Sequence, residues 1–332
     1  MNTKSRVAAA IFFCAAMILT GCSGPSTPTD TTEAGTTDAS PANGDFSGLV
    51  DIGNGRSMYL TCKGTGSPTV VFVSGRSDRA DIWKTVTEPN PTETAVFDGV
   101  AETTRVCAYD RPGTVTITGE QVEPSRSTPV PQPTTAADGV RDLHDLLSAA
   151  DVPGPYVLAA HSWGGLIARL YAASYPTDVD GLVLVDTLTE LLYDGLTPQQ
   201  QEWWITLNSN YSPDLEPYNQ EKSNLEPSFQ SLRDAGDPPP MPVGILVSDQ
   251  PYDLEPLAAA GDLPPGVPVE FGSTIYSAHL AGQQELAERL HAKLVLDTNA
   301  SHYVHTEQPA LTINAIDEVV DAARTNPDQW FS

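Results

Sequence analysis

Basic residues are scarce in this chain: 17 Lys and Arg stand against 43 Asp and Glu, for a formal net charge of −26. A nucleic-acid partner is thereby excluded as an expectation, because binding a phosphate backbone needs clustered Lys and Arg. Such acidity fits a halophile-like surface or an acidic secreted protein; it bears on solubility and not on fold. Cysteine is also rare, with four in 332 residues. No C-x-x-C and no H-E-x-x-H occurs, so no metal site is signalled, and no cofactor is expected. The glycine-spaced Gly53-Asn54-Gly55 and Gly64-Thr65-Gly66 lack the lysine of a phosphate loop and the helix of a dinucleotide fingerprint, and hairpin turns explain them. The first apolar run, Val7 to Leu19, is too short to span a bilayer.

That run has another use. Lys4 and Arg6 precede it and Leu19-Thr20-Gly21-Cys22 follows it, the order of a processing signal that ends in a lipobox. Residues 1–21 are therefore expected to be a lipoprotein signal peptide, with Cys22 as the lipidated new N-terminus, a palmitate-bearing anchor on the extracytoplasmic face of a bacterial membrane. Residues 22–46 follow as a Thr/Ser/Pro/Gly/Asp tract that cannot build a core and reads as a flexible tether. Cys14 leaves with the signal, so Cys62 and Cys107 remain as a pair in an oxidising compartment.

From residue 47 to about 326, strand-like runs alternate with helical patterns, the signature of a largely parallel sheet covered on both faces. Gly48–Ile52 and Ser57–Cys62 read as a hairpin, and Thr69–Val73 and Thr104–Tyr109 as strands, followed by a helix over Thr134–Ala150. Tyr156–Ala160 and Leu182–Asp186 are buried strands flanking a helix from Gly164; Val243–Val247 and Ala292–Leu296 are further strands. A helix near Ser277–His291 and a last one over Gln308–Arg324 complete the pattern. Between the strand runs, residues 188–240 are polar and helix-prone and carry Trp203, Trp204 and Tyr211.

In Ala160-His161-Ser162-Trp163-Gly164-Gly165 a strand stops at a serine and a helix begins, a turn that presents the hydroxyl as a nucleophile. A serine needs a base, and of six histidines His302 follows a strand and a loop late in the chain. His305 is the alternative; His144 and His291 fall in helical patterns and read as surface residues, and His279 lies on the helix before the last strand.

The element order, together with Ala160-His161-Ser162-Trp163-Gly164, Tyr109-Asp110-Arg111-Pro112-Gly113 and Ser301-His302-Tyr303-Val304-His305, resembles the α/β-hydrolase superfamily, in a branch of secreted bacterial hydrolases. The resemblance covers Gly48 to Arg324, with Ala160 standing where the G-x-S-x-G pattern has glycine. It implies an eight-stranded, mostly parallel sheet with helices on both faces and a helical cap at about 188–240. It places the strands of Cys62 and Cys107 side by side, within bridging reach, and makes the chain a serine hydrolase, carboxylesterase- or lipase-like, with Ser162 and His302 in catalytic roles. The acid stays open: the usual step past the seventh strand lands on Pro251, flanked by Asp249 and Asp253, while some relatives use the end of the sixth strand, where Asp186 stands. The oxyanion hole would take the backbone N–H groups of Trp163 and Arg76; the Arg76 guanidinium would pair with Asp78 or Asp81, or reach a substrate carboxylate. His161 would support the elbow, and the cap aromatics would either line a pocket or hold the cap. The expected partners are a small-molecule or lipid ester and, through the anchor, a membrane. The alternatives are a proline-iminopeptidase-like peptidase, or a non-catalytic binding lipoprotein if no carboxylate reaches His302.

Overall fold

In the computed structural model, residues 44–325 and Trp330 are described. The signal peptide, Cys22 and nearly all of the tether lie outside the described residues. Among the described residues, no helix is long and apolar enough to cross a membrane.

Among the described residues, ten strands and ten α-helices follow one another, with 3-10 turns at Ala80–Lys84 and Pro213–Tyr218. The strands are β1 (Phe46–Gly53), β2 (Arg56–Lys63), β3 (Thr69–Val73), β4 (Val106–Tyr109), β5 (Val115–Thr118), β6 (Gln121–Pro124), β7 (Tyr156–His161), β8 (Val179–Val185), β9 (Val243–Leu246) and β10 (Lys293–Val295). Eight of them form one sheet in the order β1-β2-β4-β3-β7-β8-β9-β10. β2 pairs antiparallel with β1 and with β4, and every later pair is parallel. The helices are α1 (Val96–Val100), α2 (Ala136–Ala149), α3 (Gly164–Ser174), α4 (Glu190–Asp194), α5 (Pro198–Asn208), α6 (Leu225–Ala235), α7 (Glu255–Ala260), α8 (Phe271–Leu290), α9 (Val304–Glu307) and α10 (Pro309–Thr325).

Strand side chains alternate between faces, and the central strands are apolar on both, so the sheet carries two cores. Val71, Leu158, Ala160, Leu182 and Leu184 face one core with Leu143 and Leu146 of α2, Leu166 and Ile167 of α3 and Leu286 of α8. Val70, Phe72, Val157, Ala159 and Val183 face the other with Trp83, Phe97 and the α10 residues Ile316, Val319 and Val320. Each large apolar side chain so buried contributes roughly 1.5–3 kcal/mol. This is the α/β-hydrolase architecture expected of the sequence, with α4, α5, the second 3-10 turn and α6 forming the cap between β8 and β9.

Cys62 and Cys107 are direct partners in the β2–β4 ladder and form a disulfide closing a separation of 45 residues. In the chain-entropy picture a loop of that size is worth about 4 kcal/mol.

Several elements differ from the sequence reading. The segment between β4 and α2 contains a separate hairpin, β5 with β6. Alternation there spans only four residues per strand, too few to stand out from a loop. α7 was not expected, and α8 starts at Phe271, six residues before Ser277. Its first turn seats Phe271 edge-on to Trp203 of the cap, a tertiary contact that extends the helix beyond its local pattern.

Candidate active site

β7 delivers Ser162 and α3 leaves from it. Ser162 has φ of 51°, in the left-handed region that non-glycine residues rarely adopt. The turn is held by neighbours: Ser162 N–H donates to the Val185 carbonyl (3.2 Å), while the Ser162 carbonyl accepts from Gly165 N–H (2.9 Å) and Leu188 N–H (3.0 Å). A Cβ on Gly164 would lie 2.3 Å from the Val73 carbonyl oxygen, so only glycine lets α3 start this close to β3. Trp163 opens that eleven-residue helix, where the first N–H groups have no intrahelical acceptor.

Asp186 follows directly on β8, also has positive φ (43°) and is buried. Its Oδ2 lies 2.6 Å from His302 Nδ1. Its Oδ1 takes two further contacts, the Ser248 N–H at 2.8 Å and His279 Nε2 at 2.8 Å. Burial pushes this carboxyl up, but the charges and hydrogen bonds of His279 and His302 outweigh burial and hold it well below the usual carboxylate range. The other two candidate acids are engaged elsewhere. Asp249 accepts from the N–H groups of Asn299 (2.8 Å) and Ala300 (3.1 Å), which pins the loop leading to His302. Asp253 is exposed and accepts from Glu255 N–H at the start of α7.

Sequence reading missed His279, which it left as a helix residue. It is 2% exposed and projects from α8 onto Asp186, with Gln283 one turn later donating to the Thr187 carbonyl. The only available signal was a histidine on the apolar side of a helix. His161, expected to support the elbow, places Nε2 2.9 Å from the His302 carbonyl oxygen, so it braces the histidine loop as well. Its ring lies 4.6 Å from that of His302 and 4.4 Å from that of His305. Burial, then the neighbouring imidazoles, keep His161 well below its ordinary value, and burial with His302 lowers His305 to about 3. His305 packs tilted against Trp83, with ring centroids 4.5 Å apart, and is fully buried. His144, on α2, stacks on Tyr175 at 4.0 Å.

The loop after β3, Ser74-Gly75-Arg76-Ser77, carries the second expected oxyanion donor. The Arg76 guanidinium reaches the cap: Nη1 donates to the Asn208 carbonyl at the end of α5 (2.8 Å), and the group lies 5.5 Å over Tyr211. Asp81 is paired with Arg79, at 2.9 Å. Asp78 lies 4.0 Å from His161 Nδ1; burial, partly offset by Arg111, pushes its carboxyl up to about 7.

In the cap, Trp204 is buried against Tyr193 and Phe229, and the Tyr211 hydroxyl accepts from Ser223 N–H. These aromatics hold the cap together. Among the described residues no cluster of His, Cys, Asp and Glu could hold a metal ion.

A mostly parallel sheet with a serine at a strand-to-helix turn, a loop histidine after the last strand and a helical cap defines an α/β hydrolase. The sequence profile of the Alpha/beta hydrolase family matches residues 70–315, and the chain belongs to that family. Among curated proteins, the chain is 26% identical over 172 residues to a probable transporter, efuK, of Hormonema carpetanum, covering 50% of this chain and 22% of that protein. It is 32% identical over 124 residues to the uncharacterized protein YqjL of Bacillus subtilis, covering 37% of this chain and 41% of YqjL. The chain thus spans less than half the length of these relatives. Among solved structures, Est816, described as an N-acyl homoserine lactone degrading enzyme, superposes with a TM-score of 0.54 at 18% identity, over 82% of this chain and 100% of that one. A predicted CIB-like hydrolase from Thermoplasma acidophilum gives 0.51 at 14% identity, over 83% and 98%. At such identities the likeness is one of fold.

Proposed function

We propose that this protein is a serine hydrolase that cleaves carboxylic esters through an acyl-enzyme. The observation that carries the reading is the 2.6 Å contact between Asp186 Oδ2 and His302 Nδ1, in a chain whose Ser162 sits at a strained strand-to-helix turn. In this reading Ser162 Oγ attacks the ester carbonyl while His302 takes its proton. Asp186 holds the imidazole in the required tautomer and stabilises its charged form. The N–H groups of Trp163 and Arg76 receive the developing oxyanion. Collapse of the tetrahedral intermediate expels the alcohol, protonated by His302. A water deprotonated by His302 then attacks the acyl-serine, and the acid leaves as Ser162 recovers its proton.

The carboxylate on His302 favours a working site over a degenerate one. The lipobox at Leu19–Cys22 and the oxidised pair Cys62–Cys107 support an exported, membrane-anchored enzyme. The test is p-nitrophenol release from short and medium acyl esters by the soluble form beginning at Gly44, beside Ser162→Ala. Turnover lost in the variant is the expected result; equal rates for the two proteins would overturn the reading. For the anchor, Cys22→Ser should move the full-length protein from the membrane fraction to the soluble fraction.

A further inference from the structure

Tyr109-Asp110-Arg111-Pro112-Gly113 has no part in the chemistry above, yet its side chains are buried beside the loop after β3. Asp110 is buried and accepts from Ala80 N–H (2.9 Å) and from both Nε (2.7 Å) and Nη2 (2.8 Å) of Arg126. Arg111 is turned the other way. Its Nη1 donates to the Ser74 carbonyl (2.8 Å) and its Nη2 to the Gly75 carbonyl (2.6 Å). Two carbonyls of the loop are thus held by one planar, rigid fork of donors.

The Gly75–Arg76 peptide is trans, since the cis bonds among the described residues are all at X-Pro. In a trans peptide the N–H points opposite to the C=O. Fixing the Gly75 carbonyl on Arg111 therefore fixes the direction of the Arg76 N–H, aimed away from the guanidinium.

A guanidinium this buried needs a counter-charge. It comes from Glu221 in the cap: Nε to Oε1 is 2.6 Å, Nη2 to Oε2 is 3.0 Å, and the two side chains are 4% and 2% exposed. Glu221 Oε2 also accepts from Ser77 N–H at 2.7 Å, so the ion pair holds the loop on both sides of Arg76. Gly113 makes the docking of the cap segment possible. Its φ is +87°, its carbonyl accepts from Glu221 N–H (2.7 Å), and a Cβ there would lie 2.6 Å from the Asn219 carbonyl oxygen and 2.7 Å from Glu221 N.

We propose that Arg111 and the cap residue Glu221 are positioning residues for the oxyanion hole: the ion pair aims the Arg76 N–H, so the hole is complete only with the cap docked. This rests on the serine-hydrolase reading. Neither side chain touches the reacting atoms.

The test compares wild type, Ser162→Ala, Glu221→Gln and the double variant Arg111→Met/Glu221→Met. Replacing both members of a buried ion pair by apolar side chains of similar volume is often tolerated, whereas removing one strands the other. The readouts are kcat and KM for a p-nitrophenyl ester, the inhibition constant of a boronic acid that forms a tetrahedral adduct on serine, and the thermal midpoint. The expected result for the double variant is a kcat lower by about ten- to a hundredfold, since removing an oxyanion donor outright costs about 10²–10³. Boronate affinity should fall by a similar factor, with KM within about threefold of wild type. Should the double variant not fold, Glu221→Gln carries the same comparison, with a smaller loss in kcat and boronate affinity. A folded variant with kcat and boronate affinity within twofold of wild type overturns the proposal, as does a loss confined to KM. Absence of Ser162-dependent turnover in wild type instead overturns the hydrolase reading, and the oxyanion role with it.

Discussion

His279 Nε2 lies 2.8 Å from Asp186 Oδ1, opposite the oxygen that lies 2.6 Å from His302 Nδ1. One buried carboxylate therefore serves two imidazoles from two different elements, α8 and the loop after β10. A hydrogen bond to a charged group is worth roughly 1.5–3 kcal/mol, so losing His279 loosens the carboxylate that orients His302 in the proposed mechanism. His279→Leu should lower kcat by about tenfold or more at unchanged KM. His279→Gln keeps a donor and should recover part of the loss, which steady-state kinetics on a p-nitrophenyl ester would read. Equal kcat in wild type and His279→Leu would remove His279 from the site.

Three aspartates compete for the role of acid, and substitution separates them. Asp186→Asn should cost about 10⁴ in kcat, the scale of losing the carboxylate that fixes a catalytic imidazole. Asp253→Asn, on an exposed turn, should leave kcat within twofold. Asp249→Asn should act through the loop it pins, lowering the unfolding midpoint more than kcat. Kinetics and urea unfolding on the three variants would check the order.

The Cys62–Cys107 bridge ties β2 to β4 at the antiparallel side of the sheet, away from Ser162. Cys62→Ser/Cys107→Ser should lose about 4 kcal/mol of stability in the chain-entropy model. Urea unfolding of oxidised wild type against the double variant measures it; a difference under about 1 kcal/mol would contradict the model.

His305 is fully buried with no hydrogen-bond partner on either ring nitrogen among the described residues. Its folded pKa is about 3, lowered from 6.5 by burial and by His302. Between those values the unfolded chain binds the proton and the folded one does not, so stability falls as pH drops from about 6.5 toward 3. Asp78, raised to about 7, has the opposite slope: its protonated form is favoured by folding, so its contribution shrinks as pH rises from about 4 to 7. Comparing variants isolates the histidine. His305→Leu removes an orphan polar ring, so it should cost little at pH 7 and should retain more stability than wild type at pH 4.5. Urea midpoints at the two pH values give the answer, and parallel pH profiles for the two proteins would refute it.

Much of this molecule is legible along the chain. The strands β3, β7 and β8 are apolar on both faces, and only a sheet covered on both sides accommodates that. The turn at Ser162 is equally local, because an apolar run, a serine and Gly164-Gly165 stand in consecutive positions. Less of the cap and rim could be read: β5 and β6 are short and mostly exposed, and α8 is lengthened by what Phe271 touches.

The sequence by itself determined the elements whose cause lies within a few residues: the alternation of buried strands and amphipathic helices, and the turn at Ser162. Only the tertiary structure decided which carboxylate meets which base. Asp186 lies 116 residues from His302 and 93 from His279, and Arg111 lies 110 from Glu221. These pairs meet because parallel strands are joined by long crossovers and because β8 lies next to β9, where Asp186 N–H donates to the Leu246 carbonyl. Hydrophobic patterning says which face of a strand is buried. It does not say which strand lies alongside, and the charged groups at the strand ends find their partners only once that order is set.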